Sequence, residues 1–225
     1  MRRLAGWASA AVSVLVLLPT AAVPQTAAQY RQQGLDYRNQ GRFDEAIAVL
    51  EQSVALEPDH QGGRVILGWT QHLADQGEPA AQTLTQAFYV DPFDVPTLNA
   101  LGIVKLVQGN LGSAVTSHLW AAHLNPDNEV AYFNLSLAAQ RMQLYDWAIA
   151  TAVRAAELEP YNPHPLIAEA VALWSQGRQN EAQQSYRKAL SLSPRYGTVE
   201  LGFYLEQAAF SPEQIAIASA IVESL

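Results

Sequence analysis

Apolar and polar residues recur at helical spacing along this chain, in short blocks separated by turn residues. In a clear example, three leucines at helical spacing predict a helix over residues 97–108. Gly109 and the asparagine after it predict a turn, and the next apolar block predicts a second helix over residues 111–124. Pro126 ends that helix, because proline lacks an N–H group and clashes with the preceding turn. The pattern therefore predicts a hairpin of two antiparallel helices.

A 34-residue period repeats this hairpin along the chain. Its clearest markers are five prolines at one constant spacing: Pro58, Pro92, Pro126, Pro160 and Pro194. Twelve residues before each proline stands an alanine: Ala46, Ala80, Ala114, Ala148 and Ala182. A further upstream column holds only small residues: Gly34, Gly68, Gly102, Ser136 and Ala170. Small residues recurring in one register mark close helix crossings, so the sequence predicts a stack of hairpins.

This register resembles that of the tetratricopeptide repeat family, from about Ala27 to Pro194. The resemblance implies an all-α fold, a right-handed solenoid of antiparallel helical hairpins with five clear units and a divergent sixth. The array proper is expected within residues 29–194. The units are expected at about residues 27–60, 61–94, 95–128, 129–162 and 163–196.

Some positions depart from the family pattern. Charged or amide side chains stand where the family usually has aromatic or apolar residues, at Arg64, Gln71 and Lys105. The turn glycine of the second unit, Gly77, falls two places later than Gly41 and Gly109. We therefore expect the second unit to have a shifted turn, within an otherwise regular array.

The register fades in residues 195–225, which we expect to form a divergent sixth unit that also caps the array. Ser211, a proline and then Gln214 have the spacing of a helix start with a capping box. Ala216 keeps the register of the small alanine column. An atypical last unit is expected, because no neighbour covers its outer face.

Residues 1–28 have the three parts of a secretory signal: a positive start, an apolar middle and a small-residue end. The uncharged stretch runs over residues 4–23, and cleavage after Ala22 or Ala28 fits the pattern. The alternative is a retained N-terminal membrane anchor. We expect an exported protein, periplasmic or extracellular, or one anchored to the membrane by this segment.

Composition excludes several classes of function. The formal net charge is −8, which disfavours nucleic acid because phosphates require lysine and arginine. The chain has no cysteine, which excludes disulfides and thiol catalysis. No zinc-binding helix motif, phosphate loop or nucleophile elbow is present, so no catalytic residue, cofactor or metal site is predicted. A hydrolase or transferase stays as a rival only through Glu169, a carboxylate expected to be partly buried.

The resemblance also implies a binding site, because the first helix of each unit lines the concave side of such a solenoid. The side chains expected there are largely apolar. They are Trp69, Leu73, Asn99, Ile103, Val107, Phe133, Leu137, Arg141, Val171 and Trp174. Exposed apolar patches usually mark interaction sites, and tryptophan is enriched among binding hot spots.

The sequence thus predicts a non-enzymatic adaptor whose groove binds a helix or an extended segment of another protein, with assembly of an envelope complex as one setting. A clamp for a C-terminal carboxylate is disfavoured, because basic groove residues such as Arg31 and Arg38 are scattered. The alternative is that these apolar side chains pack on one another, or that a returning C-terminal helix or an oligomer buries them. The oligomeric state stays open.

Overall fold

The computed structural model describes residues 25–225. Most of the predicted export segment therefore lies outside the described residues. The described chain is helical throughout and contains no strand. Its α-helices are α1 (Ala27–Asn39), α2 (Phe43–Leu56), α3 (Gln61–Leu73), α4 (Gly77–Val90), α5 (Val95–Val107), α6 (Leu111–Leu124), α7 (Glu129–Arg141), α8 (Tyr145–Leu158), α9 (Pro163–Ser175), α10 (Gln179–Leu192), α11 (Leu201–Gln207) and α12 (Pro212–Glu223).

The first ten helices form five antiparallel pairs, and each pair packs on the next. Each first helix has 13 residues and each second helix has 14. The fold class predicted from the period, a solenoid of helical hairpins, is confirmed. A 3₁₀ turn over Pro194–Gly197 follows α10, and the regular alternation ends there.

One polar column explains why each first helix begins where it does. The residue before each first helix accepts a hydrogen bond from the backbone of the first turn through its side chain, which satisfies an N–H group that has no partner within the helix. These caps recur in the register of the repeat, at Thr26, His60, Asp94, Asn128 and Asn162. The next position in the register holds Tyr196, which is buried in the 3₁₀ turn and caps nothing. The array therefore loses its register at Tyr196.

The turn inside each hairpin has one residue with a left-handed backbone, at the same place in all five units. Three of these residues are glycines, and the others are Asp75 with φ of 57° and Gln143 with φ of 62°. The expectation of a shifted turn in the second unit is wrong, because Asp75 adopts the required conformation in register. Gly77 instead begins α4.

In each of the first three hairpins, a glycine of the first helix faces a large side chain of the second helix. The absence of a Cβ at this glycine lets the two helices pack closely. A Cβ placed at Gly34 or Gly68 would lie 2.5 or 2.6 Å from Cγ of Leu50 or Leu84. In the third unit the large partner of Gly102 is His118. The imidazole is buried, and neither ring nitrogen has a hydrogen-bond partner within residues 25–225. Burial lowers its pKa to about 4, so the ring is neutral at physiological pH.

The C-terminal segment does not form a regular sixth hairpin. Its first helix, α11, has only seven residues, and α12 packs against α9 and α10 as well as α11. The placement of Ala216 in the buried alanine column is wrong, because Ala216 is exposed and Ala218 is the buried residue. The start predicted for the last helix does form: Ser211 and Gln214 make a capping box. Residues 195–225 therefore fold back onto the array.

Candidate functional site

The first helices α1, α3, α5, α7 and α9 lie next to one another in chain order and form one continuous face. All ten residues predicted to line the groove lie on α3, α5, α7 and α9 of this face. Their accessibility changes sharply along the array. The face is therefore best described as an open half on α3 and α5 and a covered half on α7 and α9.

The open half carries four apolar residues, which we call the open groove segment: Trp69, Leu73, Ile103 and Val107. Leu73 is 42% exposed and Val107 is 54% exposed. Trp69 and Ile103 are partly buried, and the Trp69 ring lies 5.0 Å from that of His72 between centroids. Leu73 and Val107 occupy the same position in adjacent units, so they extend one apolar strip across both.

The covered half contradicts the expectation of an apolar groove open along its whole length. Phe133 is 8% exposed, Leu137 is 1% exposed and Val171 is fully buried. These side chains belong to the largest hydrophobic cluster, together with Leu205, Phe210, Ala218 and Ile221 of the C-terminal segment. For these three residues the groove expectation is wrong, and the alternative that a returning C-terminal helix buries them holds. Trp174 is partly buried at the edge of this cluster.

Gln214, at the start of α12, fixes the returning helix to α7. Its side-chain amide nitrogen donates to the carbonyl of Leu137 at 3.1 Å and to Oε1 of Gln140 at 2.9 Å. Gln214 is 1% exposed, so both bonds are shielded from water. Phe210 packs on Phe133, with ring centroids 5.9 Å apart. Sequence reasoning missed Gln214 as a groove contact, although its capping-box position was recognised.

A buried aromatic cluster anchors the start of the C-terminal segment. The Tyr196 hydroxyl accepts from Arg195 at 2.9 Å and lies 2.6 Å from Nε2 of His164. Burial, together with the charge of Arg195, lowers the pKa of His164 to about 4, so its ring is neutral and shares a hydrogen bond with the phenol. Tyr186 donates its hydroxyl proton to the backbone carbonyl of Tyr196 at 2.9 Å. The cluster thus positions the chain for its return to the array.

The polar residues predicted in the groove make hydrogen bonds within the array. Asn99 and Asn128 exchange amide hydrogen bonds of 3.3 and 3.0 Å, and Asn128 also caps α7. Arg141 donates to the carbonyl of Leu106 at 2.7 Å, near the end of α5. Both side chains therefore join neighbouring units.

Glu169, the residue on which the rival enzymatic hypothesis rests, makes a hydrogen bond within the array. Glu169 accepts a hydrogen bond of 2.6 Å from the Ser185 hydroxyl, which ties it to the second helix of its own unit. No group of three or more metal-ligating side chains occurs within residues 25–225. Over the same residues, no helix has the length and apolar character needed to cross a bilayer. The open groove segment is the candidate site.

Comparison with protein families supports the repeat assignment. A family model of the tetratricopeptide repeat matches residues 27–60, and a second one matches residues 166–196. Small glutamine-rich tetratricopeptide repeat-containing protein 2 of Mycosarcoma maydis is 28% identical over 122 residues, covering 54% of this chain and 33% of that protein. Tetratricopeptide repeat protein 28 of Homo sapiens is 30% identical over 127 residues, covering 53% of this chain. The chain aligns with only 33% and 5% of the lengths of these two relatives.

Solved structures share the fold. The crystal structure of MamA protein matches with a TM-score of 0.66 at 22% identity, covering 77% of this chain and 95% of MamA. YrrB, described as a TPR protein with an unusual peptide-binding site, matches with a TM-score of 0.62 at 15% identity, covering 80% of this chain and 92% of YrrB. At such identities the likeness shows the architecture alone. The register, the hairpin array and the two family matches together show that the chain contains an array of tetratricopeptide repeats.

Proposed function

We propose that this protein is a non-enzymatic adaptor that acts outside the cytoplasm and binds a segment of another protein in the open groove segment. The tetratricopeptide repeat fold itself supports a protein–protein interaction scaffold. A role in assembling an envelope complex is an extension that rests on family analogy.

The observation that carries the proposal is the contrast between the two halves of one face. Where α12 returns, the array buries its groove residues; on α3 and α5 it leaves Leu73 and Val107 about half exposed. Apolar side chains aligned across adjacent helices suit a partner helix or extended segment with apolar anchors at matching spacing. YrrB, which shares the fold, is described as having a peptide-binding site, which adds support.

The test is capture of partners from a cell-envelope extract with Leu73→Asp/Val107→Asp as bait beside the wild type. A bound partner would remove water from the carboxylates at positions 73 and 107. We therefore expect the double variant to bind its partner at least about 100-fold more weakly than the wild type does. Val153→Asp is the matched control, because Val153 is 38% exposed on a second helix, α8. Quantitative mass spectrometry of the captured proteins measures the outcome.

The proposal requires a protein that the wild type and Val153→Asp recover equally and the double variant does not. Equal recovery of every protein by all three baits would reject the open groove segment as the binding surface. Circular dichroism should show the same helix content for all three, because both substituted groove positions are exposed.

Export is the second part of the proposal, and the start of α1 favours one of the two cleavage sites. Thr26 and Gln29 form the capping box of α1, and the carbonyl of buried Ala27 accepts a hydrogen bond from Ser53. Cleavage after Ala28 would remove the cap and this contact, whereas cleavage after Ala22 keeps both. N-terminal sequencing of chain recovered outside the cytoplasm should therefore begin at Val23. Chain found only inside the cytoplasm would contradict export, and an intact first segment in the membrane would indicate the anchor.

A further inference from the structure

A second apolar surface lies on the second helices, away from the open groove segment. It surrounds a cavity of about 490 Å³ between α6 and the loop before α5. We call it the α6 patch, and its lining residues are Phe93, Thr116, Leu119, Trp120, His123 and Leu124. Phe93 is 63% exposed, and its ring centroid lies 5.9 Å from that of Trp120, which is 41% exposed. A large aromatic pair therefore stands beside an open hollow.

The repeat register shows that the fold does not need these side chains to be apolar. At the position of Trp120, the other four units carry polar or charged residues: Gln52, Gln86, Arg154 and Lys188. At the position of Phe93 they carry Asp59, Asp127, Tyr161 and Arg195. All five units form the same hairpin, so the third unit alone has a tryptophan where its neighbours meet water. This difference indicates contact with another molecule.

Charge indicates what that molecule is. The chain carries a formal net charge of −8, so two copies repel one another over most of their surface. Helix α6 contains no aspartate, glutamate, lysine or arginine, and α4 beside it contains only Glu78, at its start. The acids that flank Phe93 hydrogen-bond their own loop: Asp91 accepts from the Phe93 amide, and Asp94 accepts from Thr97. The helical surface of α4 and α6 is therefore where two copies approach with few like charges, with Asp91 and Asp94 of the loop as the exceptions.

The size of the patch suits a modest interface between two copies. An aromatic side chain has roughly 150–250 Å² of surface. The half-exposed Phe93 and Trp120 rings with Leu119 thus supply roughly 300 Å² per copy, against about 800 Å² per partner in a standard interface. A polar rim makes up the rest in interfaces of this kind. A two-fold interface uses the same surface of both copies. The rings of each copy can face the hollow of the other, so this surface can pair with itself.

We propose that two copies of this chain pair two-fold through the α6 patch, each placing its Trp120 and Phe93 rings against the hollow of the other. The pairing leaves the open groove segment on the opposite helices accessible in both copies. It does not depend on the proposed groove function, because it uses second helices of the array. The product is a dimer with two grooves.

Sedimentation equilibrium of the purified protein with its native N-terminus tests the proposal, over about 1 to 300 μM at physiological salt. We expect a monomer–dimer equilibrium within that range. Trp120→Gln, the residue of the first two units at this position, should weaken pairing by about 30-fold, as loss of a central tryptophan does. Phe93→Asp should act in the same way. Tyr161→Asp is the matched control, because Tyr161 is 87% exposed at the equivalent position two units later.

A wild type that stays monomeric throughout this range would overturn the proposal. So would a dimer that both Trp120→Gln and Phe93→Asp leave intact. Leu73→Asp/Val107→Asp should still pair; a dimer lost in that variant and kept in Trp120→Gln would place self-association in the groove instead. Matching circular dichroism of all variants shows that a change in mass is not a change in folding.

Discussion

Replacing Gly102 with serine is expected to destabilise the array by about 3 kcal/mol, and adding His118→Ala is expected to restore most of that loss. A Cβ at Gly102 would lie 2.5, 2.6 and 2.8 Å from three atoms of the His118 ring. A planar ring without solvent access cannot yield by a small rotation, so α5 and α6 must separate. The double substitution reproduces the pair of the fourth unit, Ser136 with Ala152, at the same two positions.

Equilibrium urea unfolding of the two single variants and the double variant measures the effect. His118→Ala alone leaves a cavity that costs about 2 kcal/mol, partly offset because an unpaired buried imidazole is removed. Gly112→Ser is the control, because nothing lies within 4 Å of a Cβ at that exposed glycine of α6. A Gly102→Ser variant as stable as Gly112→Ser would show that the two helices do not meet as closely as described.

The same variants measure how the contribution of His118 to the free energy of unfolding depends on pH. Its pKa is about 4 in the folded chain and near 6.5 when unfolded, so below pH 6.5 the unfolded state binds more protons. The free energy of unfolding therefore decreases as the pH falls from 6.5 towards 4, because protonation of His118 favours the unfolded state. Variants with His118→Ala should lose less stability between pH 7 and pH 5 than the wild type does.

Replacing Ile221 with aspartate is expected to release α12 from the array while the five hairpins stay folded. Ile221 is fully buried in the cluster that covers the groove half on α7 and α9, and an unpaired carboxylate there costs about 4 kcal/mol. Release exposes Phe133, Leu137 and Val171, which opens the covered half for binding. Hydrogen exchange should accelerate in peptides spanning α7, α9 and α12 and stay unchanged in those spanning α1 to α4.

The matched control is Ala216→Asp, which places the same charge at an exposed position of the same helix. Exchange in α7 and α9 should then remain as slow as in the wild type. If Ile221→Asp behaves like this control, α12 does not hold the groove closed. If it unfolds α1 to α4 as well, the C-terminal segment stabilises the whole array rather than one half of its face.

The period of the sequence was enough to predict the hairpin array, because the small and proline columns have only one geometric explanation. It was not enough to predict which groove residues are accessible. Leu137 and Ile103 occupy the same repeat position in adjacent units and are both apolar, yet Leu137 is buried and Ile103 is only partly buried. Only the return of α12, fixed to α7 by a residue far along the chain, Gln214, separates them. Local spacing carries no signal for so distant a contact.

Two other differences between the sequence predictions and the structure have local causes. The turn of the second unit stays in register because Asp75 adopts the left-handed backbone that glycine usually supplies at this position. Trp120 is the one aromatic residue at a repeat position that is otherwise polar or charged, so the sequence itself distinguishes it.

One face of the array is open at α3 and α5 and closed by its own C-terminal helix at α7 and α9. A photoreactive residue placed in turn at Val107, Leu137 and Val153 tests this division most directly in cells. We predict that position 107 cross-links to a partner protein, position 137 cross-links within the chain to residues of α11 and α12, and position 153 gives neither product. A partner cross-linked at position 137, or none at position 107 above the level at position 153, would show that the face is not divided into an open and a closed half.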